Sequence, residues 1–449
     1  MTRARRDEPL PAADAVTALR GAMIAWRGDP FEVGADRALA YESDAIVMMG
    51  QGRIVAAGPA AAMRHSLPPA THVQTLPPAS LMIPGFVDCH VHYPQLAVTG
   101  SHGTQLLDWL SNYTYPAETA FADVRVARKA ASDYLDENLR QGITTAAVFC
   151  TVHAASVDAL MREASRRSLR LIAGKALMDR NAPRPLRDTA KRGYDESKAL
   201  IARWHGRGRL GYAITPRFAV SSTPAQLEAA GALWREHPGT WVQSHLSENA
   251  EEIAWVRELY PRARDYVDVY DHFGLLGRRA IYGHGIHLGE REWRALAASG
   301  TALAHCPTSN LFLGSGAFDW ARAKRRGRPV SVGLGTDVGG GTSLSMLATI
   351  ADAYKVAQMG GVSLSPGHAF YLATRGGAHA LDLEDRIGSI APGFEADLVL
   401  LDMEATPLLA QRTRNAADLD AALFAMFILG DDRVIQRTYV GGRCINKRA

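Results

Sequence analysis

The stretch Pro84-Gly85-Phe86-Val87-Asp88-Cys89-His90-Val91-His92-Tyr93-Pro94-Gln95 decides how the rest of the chain is read. An apolar run, Leu81 to Ile83, leads into it, and Phe86-Val87 continue a short buried strand that breaks out at His90 and His92. Residues two apart on an extended segment point to the same side, so the two imidazoles face one way. As neutral nitrogen donors they suit a zinc ion. A His-x-His pair by itself is weak evidence and more often ordinary strand packing. Its weight depends on further ligands at the ends of later strands.

Downstream, short apolar, β-rich runs recur at Ile83–Val87, Ile143–Phe149, Leu169–Leu177, Leu210–Thr215, Thr240–Ser244, Ala280–Tyr282, Thr301–Ala304 and Val330–Leu334. Most are followed by helical spacing, as in Asp123–Arg140, Val157–Arg167, Pro224–Glu236, Glu290–Ala298 and Ser343–Met359. Eight repeats of this kind predict an α/β fold, a (β/α)8 TIM-type barrel over residues 83–384. The two ends have another texture, with short apolar runs between Gly and Asp turns: Ala22–Trp26, Ala45–Met49 and Ile54–Ala57, then Ile387–Ile390, Ala396–Asp402 and Val434–Val440. Residues 15–82 and 385–449 are therefore expected to join in one small β-sandwich.

A barrel of this type carries its active site at the C-terminal ends of its strands. Strand one offers His90 and His92 there, strand four Arg217 and Phe218, strand five His245 and Glu248, strand six His284, strand seven His305, and strand eight Asp337. His90, His92, His245 and Asp337 make a mixed N/O set that leaves a position for water, as catalytic zinc sites do. Such an ion lowers the pKa of bound water to about 7, which is hydrolytic chemistry. Glu248 is placed to carry protons, although a carboxylate in the first turn of a helix is also favoured by the helix dipole. His284 orients the water or the substrate, or else bonds to backbone. For His305, a hydrogen bond behind the site and simple packing both stay open. Asp337 precedes Val338-Gly339-Gly340-Gly341, which lacks the strand context of a phosphate-binding loop. Strand four ends without a lysine, and Lys175 falls on strand three as a packing or salt-bridge residue, so one metal is expected.

A chain of 449 residues with 50 basic and 46 acidic side chains, net +4, is too balanced to argue for nucleic acid. Lys324-Arg325-Arg326-Gly327-Arg328 reads as a solvated helix end. The cysteines Cys89, Cys150, Cys306 and Cys444 are scattered and read as reduced thiols of a cytosolic protein. Arg3, Arg5 and Arg6 lack a following apolar segment, so no secretory signal is expected, and no run reaches membrane-spanning length.

The motifs together resemble the amidohydrolase superfamily and, more narrowly, its guanine deaminases. The resemblance spans nearly the whole chain, up to Gly393–Val399. It rests on Pro84–His92 and on His92-Tyr93-Pro94-Gln95, then on Leu106–Leu110 with Tyr113–Glu118, Thr215–Phe218, His245–Asn249 and His305–Asn310. It implies one zinc per chain on His90, His92, His245 and Asp337, and a purine held by Gln95, Arg217 and Phe218 with His284 near the reacting carbon. The implied reaction is hydrolysis of guanine to xanthine and ammonia by an activated water attacking C2. Glu248 would protonate the departing amine, and Asp337 would help take the water proton. A cytoplasmic homodimer in purine catabolism is also implied. Rival readings are an aminohydrolase of 8-oxoguanine, a pterin, a triazine or another amino-heterocycle, and a non-catalytic scaffold, which the full ligand set argues against. Cys89 stands where Thr is common, and Arg375-Gly376 where Asn-Gly is common, the latter expected to be remote from the metal. The apolar segment His102–Pro116 is expected to cap the pocket or to be partly buried at a subunit contact.

Overall fold

The computed structural model describes residues 16–63, 67–68, 71–103 and 105–447. The reading of Arg3, Arg5 and Arg6 and residue 15 of the first terminal segment lie outside the described residues.

Eight parallel strands form a nearly closed barrel: β1 (Phe86–His92), β2 (Ile143–Phe149), β3 (Arg170–Gly174), β4 (Leu210–Pro216), β5 (Trp241–Leu246), β6 (Ala280–His284), β7 (Ala302–His305) and β8 (Val332–Leu334). Each expected run has become a strand. Closure between β8 and β1 comes from the backbone bonds Asp337 N to His90 O, 2.8 Å, and His92 N to Val338 O, 3.0 Å. The buried Asp88 carboxylate adds to the seam by accepting from Thr336 N at 3.0 Å and Thr336 Oγ1 at 2.5 Å.

The helices begin where their capping residues place them. Asp123 accepts from Arg125 N ahead of Val124–Arg140, and Ser345 from Ala348 N ahead of Met346–Met359. The apolar helix faces and the outward side of the barrel share one large core, whereas Val87, Ile172, Ala213, Ile281 and Ala304 fill the barrel interior.

Both ends of the chain meet in a separate eight-stranded sheet, in which Ser80–Pro84 lies between Thr17–Trp26 and Leu398–Asp402. The expected sandwich is one continuous sheet whose N-terminal and C-terminal strands share a core of Leu19, Val47, Met49, Leu398, Leu400 and Tyr439. Ile83 and Pro84 pair here with Val399 and Leu398, so the chain enters the barrel at Phe86 instead of residue 83. Gly85 marks the passage, because a Cβ at this position would stand 2.1 Å from Thr144 Oγ1.

Ile387–Ile390 is a correction, since it is not a strand. Ile387 instead packs with Ala378, Leu381 and Leu383 into the base of the barrel, which explains an apolar run without strand pairing. The two family departures meet at this plug. The Cys89 thiol, next to His90, lies 3.6 Å from the Gly377 carbonyl that follows Arg375-Gly376.

Candidate active site

At the C-terminal end of the barrel, each side chain reaches the centre by a short local device. β5 runs to Leu246, Ser247 turns the chain at φ +48°, and Asn249 caps helix Ala250–Leu259 in a capping box with Glu252. Glu248 is thereby fixed between strand and cap, with its own N–H donating to Glu252 Oε2 at 2.9 Å. His284 (φ +72°) and Asp337 (φ +48°) share this left-handed backbone, a conformation that costs non-glycine residues energy and concentrates at functional sites. Gly283 is required by space, because a Cβ there would lie 2.6 Å from the His90 ring.

His90, His92, His245, His284 and Asp337 converge. His92 Nε2 lies 3.0 Å from His245 Nε2, and Asp337 Oδ1 lies 3.3 Å from His90 Nε2 and 3.5 Å from His92 Nε2. Ligand atoms of His90, His245, His284 and Asp337 all fall within 4.8 Å of one another. Five donors therefore meet where the sequence pointed to four, His284 being the addition. Phe149, at the end of β2, packs its ring 4.6 to 4.8 Å from those of His90, His92 and His245.

The protonation pattern suits a cation. His245 Nδ1 is 2.5 Å from the Arg217 carbonyl, which only accepts, so Nδ1 carries the hydrogen and Nε2 presents a lone pair. Burial pulls His90, His92 and His245 below the ordinary histidine value, and the neighbouring imidazoles add to the effect on His92 and His245. Burial opposes the Asp337 charge, but His90 and the surrounding imidazoles hold its carboxyl down at about 2. Among the described residues, His90 Nε2 and His284 Nε2 are buried without a hydrogen-bond partner. Neutral imidazoles with unspent lone pairs around an ionised carboxylate fit a divalent metal.

His284 differs from the other three. Its Nδ1 donates to Asn310 Oδ1 at 2.8 Å, which aims Nε2 at Glu248 Oε2, 3.3 Å away. Burial works against its charge, yet Glu248 and Asp337 raise its pKa above the ordinary value. Burial pushes the Glu248 carboxyl up to about 7, where a proton can be both gained and lost, while Ser315 Oγ donates to its Oε1 at 3.1 Å.

Beside these groups lies a pocket. Gln95, Arg217, Phe218, Glu248, His284 and Asp337 all line it, so the residues proposed from sequence for purine and proton share one space. Leu106, Trp109 and Leu110 also line it, so the segment His102–Pro116 contributes to the pocket. His305 is not in the wall. Its ring stacks on Phe318 and meets Trp320 edge-on, and among the described residues both nitrogens lack partners, so of the two readings the packing one holds. Lys175 is fully buried in ion pairs with Asp188 and Glu196.

Sequence reasoning assigned no role to Glu118, Phe149, Asn310 and Ser315. Glu118 and Asn310 sit inside quoted motifs, but only contacts reveal what they hold. Glu118 accepts from Arg217 Nη1 and from Gln95 Nε2.

Comparison with known proteins identifies the family of the chain. Residues 81–445 match the amidohydrolase family model. The chain is 48% identical to the guanine deaminase of Escherichia coli over 92% of this chain and 93% of that protein. The solved structure of an E. coli guanine deaminase superposes with a TM-score of 0.94 at 47% identity, covering 96% of this chain and 100% of that one. A guanine deaminase from C. acetobutylicum, solved with guanine in its active site, gives a TM-score of 0.86 at 28% identity, covering 96% of this chain and 100% of that one.

Proposed function

The chain belongs to the amidohydrolase family, and on that premise we propose that it hydrolyses guanine to xanthine and ammonia. The observation that carries this reading is one cavity in which Glu248, His284 and Asp337 face Gln95, Arg217 and Phe218. A zinc ion held by His90, His92, His245 and Asp337 would bring the pKa of a bound water to about 7.

The protein's own groups do the rest. Phe218 offers an aromatic face to the flat base, and Arg217 and Gln95 fix its polar edge. Glu248, poised near neutrality, takes a proton from the attacking water and delivers it to the exocyclic nitrogen at C2, so that the C2–N bond breaks with neutral ammonia as the leaving group. Asp337 accepts the second water proton, which passes on to ring N3 as the C2–N3 double bond is lost, so that the C2 oxygen remains as the new carbonyl and Asp337 is ionised again. His284, held by Asn310, orients the attacking water and supports its oxygen as the protons leave it. Trp109 and the neighbouring leucines limit bulk water around the reacting carbon.

We also place the enzyme in the cytoplasm, in purine catabolism, as a homodimer. The unpaired thiols of Cys89, Cys150, Cys306 and Cys444 support a reducing compartment. Among the described residues, no helix is long and apolar enough to cross a membrane.

The test is ammonia release from guanine by purified protein, with metal analysis of the same sample and adenine, 8-oxoguanine and a pterin alongside. Fast release from guanine with about one zinc per chain is the expected result. Zinc without guanine turnover would move the reading to another amino-heterocycle and implicate Gln95 and Arg217.

A further inference from the structure

Arg217 and Gln95 are both more than nine-tenths buried, and both are bound to the same carboxylate. Arg217 Nη1 lies 2.8 Å from each oxygen of Glu118, and Gln95 Nε2 donates to Glu118 Oε1 at 3.0 Å. Glu118 is itself 1% exposed and lies outside the pocket wall, so it holds these two side chains from behind. Its helix, Tyr115–Thr119, continues from Leu106–Trp109 through a wider turn, Leu110–Thr114, so one element supplies both pocket lining and the anchor. Tyr115 of that helix places its ring 5.8 Å from the Arg217 guanidinium.

The bonds dictate orientation. With Nη1 committed to Glu118, the opposite edge of the guanidinium, Nε–H and Nη2–H, remains, and the hydrogen bonds of Arg217 to other described side chains all run through Nη1. Two parallel N–H groups on one planar edge match the O6 and N7 acceptors of a 6-oxopurine and meet a donor instead on a 6-aminopurine. A carboxylate accepts only, so Gln95 must turn its amide nitrogen toward Glu118. Its Oε1 then faces the other way, 3.4 Å from Gly339 N.

We propose that Glu118 is a specificity-determining positioning residue: by anchoring Arg217 and Gln95 it sets the donor and acceptor pattern that selects a 6-oxopurine. The inference rests on the guanine reading above. Glu118 touches no reacting atom and acts through the two side chains it orients.

Competitive inhibition by two unreactive ligands tests it: hypoxanthine, which keeps the 6-oxo group, and purine, which lacks it. In the unmodified enzyme hypoxanthine binds more tightly, by roughly tenfold or more, the discrimination of one good bidentate contact. In Glu118→Gln the ratio of the two inhibition constants falls toward one, KM for guanine rises more than kcat falls, and metal content is unchanged. A purely structural role would weaken both inhibitors equally and keep the ratio, which overturns the proposal, as does an unchanged variant. If Glu118→Gln does not fold, Glu118→Asp decides. It keeps the charge but withdraws the carboxylate, and an unaltered ratio there is equally fatal. Failure of the unmodified enzyme to deaminate guanine overturns the substrate reading instead, a result distinct from either of these.

Discussion

Glu248 and Glu395 are the same residue type buried to nearly the same extent, 3% and 6% exposed, near opposite ends of the barrel. Their carboxyls behave in opposite ways. Burial raises both, but Glu395 meets two guanidiniums, Arg170 Nε at 2.8 Å and Arg209 Nε at 3.1 Å, and is held below the ordinary value. Glu248 has only His284 and Ser315 as favourable partners, with Asp337 and Glu252 adding like charge, and is pushed up to about 7. Asp397 completes the lower network by taking Arg209 Nη1 at 2.9 Å and Gly441 N at 2.8 Å. The charges at the base thus hold the terminal sheet to the barrel, whereas the groups at the top keep bonding capacity in reserve for metal, water and substrate. The comparison teaches that burial alone does not distinguish a structural carboxylate from a chemical one. What distinguishes them is whether the neighbours neutralise the charge.

One substitution made at both positions tests this contrast. Glu248→Gln is expected to lower kcat/KM on guanine by about 10² to 10⁴ with zinc retained, and an active variant would remove Glu248 from proton transfer. Its stability at pH 8 is expected to be no lower than that of the unmodified protein. The folded state keeps the Glu248 proton up to about pH 7, whereas the unfolded chain loses it near 4.5, so this group's contribution falls as pH rises between those values. Glu395→Gln is expected to do the reverse, costing about 3 kcal/mol in urea denaturation at neutral pH while leaving turnover per folded molecule unchanged. That loss should shrink as pH falls below about 4.5, because a depressed carboxyl stabilises only while ionised. A loss under about 1 kcal/mol would mean that the guanidiniums do little beyond neutralising each other's neighbours.

The smallest effect concerns His305, which is buried like the histidines of the site but walled by aromatic rings. Burial pulls its pKa down to about 3, and the unfolded chain takes up a proton near 6.5. Its contribution is present above pH 6.5 and declines as pH falls toward 3. His305→Phe should therefore flatten the acid limb of the stability profile by up to one proton, at most about 1.4 kcal/mol per pH unit. Equal slopes for the two proteins would mean that His305 is accessible to protons in the folded state.

The barrel was legible because each strand is a short apolar run followed by helical spacing, a pattern set by local burial. Most of the candidate site residues were legible because they stand where such runs end, whereas Gln95 came only from the family resemblance. The plug was not. Ile387 and Ile390 are apolar in the manner of a strand, and nothing local distinguishes strand pairing from what they do, Ile387 packing into the base of the barrel and Ile390 into the core of the terminal sheet. Glu118 was illegible for a similar reason, since its partners are 23 and 99 residues away. His305 had the same strand-end position as His284, and only Phe318 and Trp320 separate its role from that of a ligand.

The sequence by itself determined the order of strands and helices, the set of imidazoles and carboxylates at the strand ends, and the chemistry such a set can perform. Those follow from periodicity and side-chain type, which are local properties. The tertiary structure alone decided which carboxylate is ionised, which histidine carries a hydrogen on which nitrogen, and which charge is paired. Each of these depends on the field of neighbours that are distant in the chain and brought within about 3 Å only by folding.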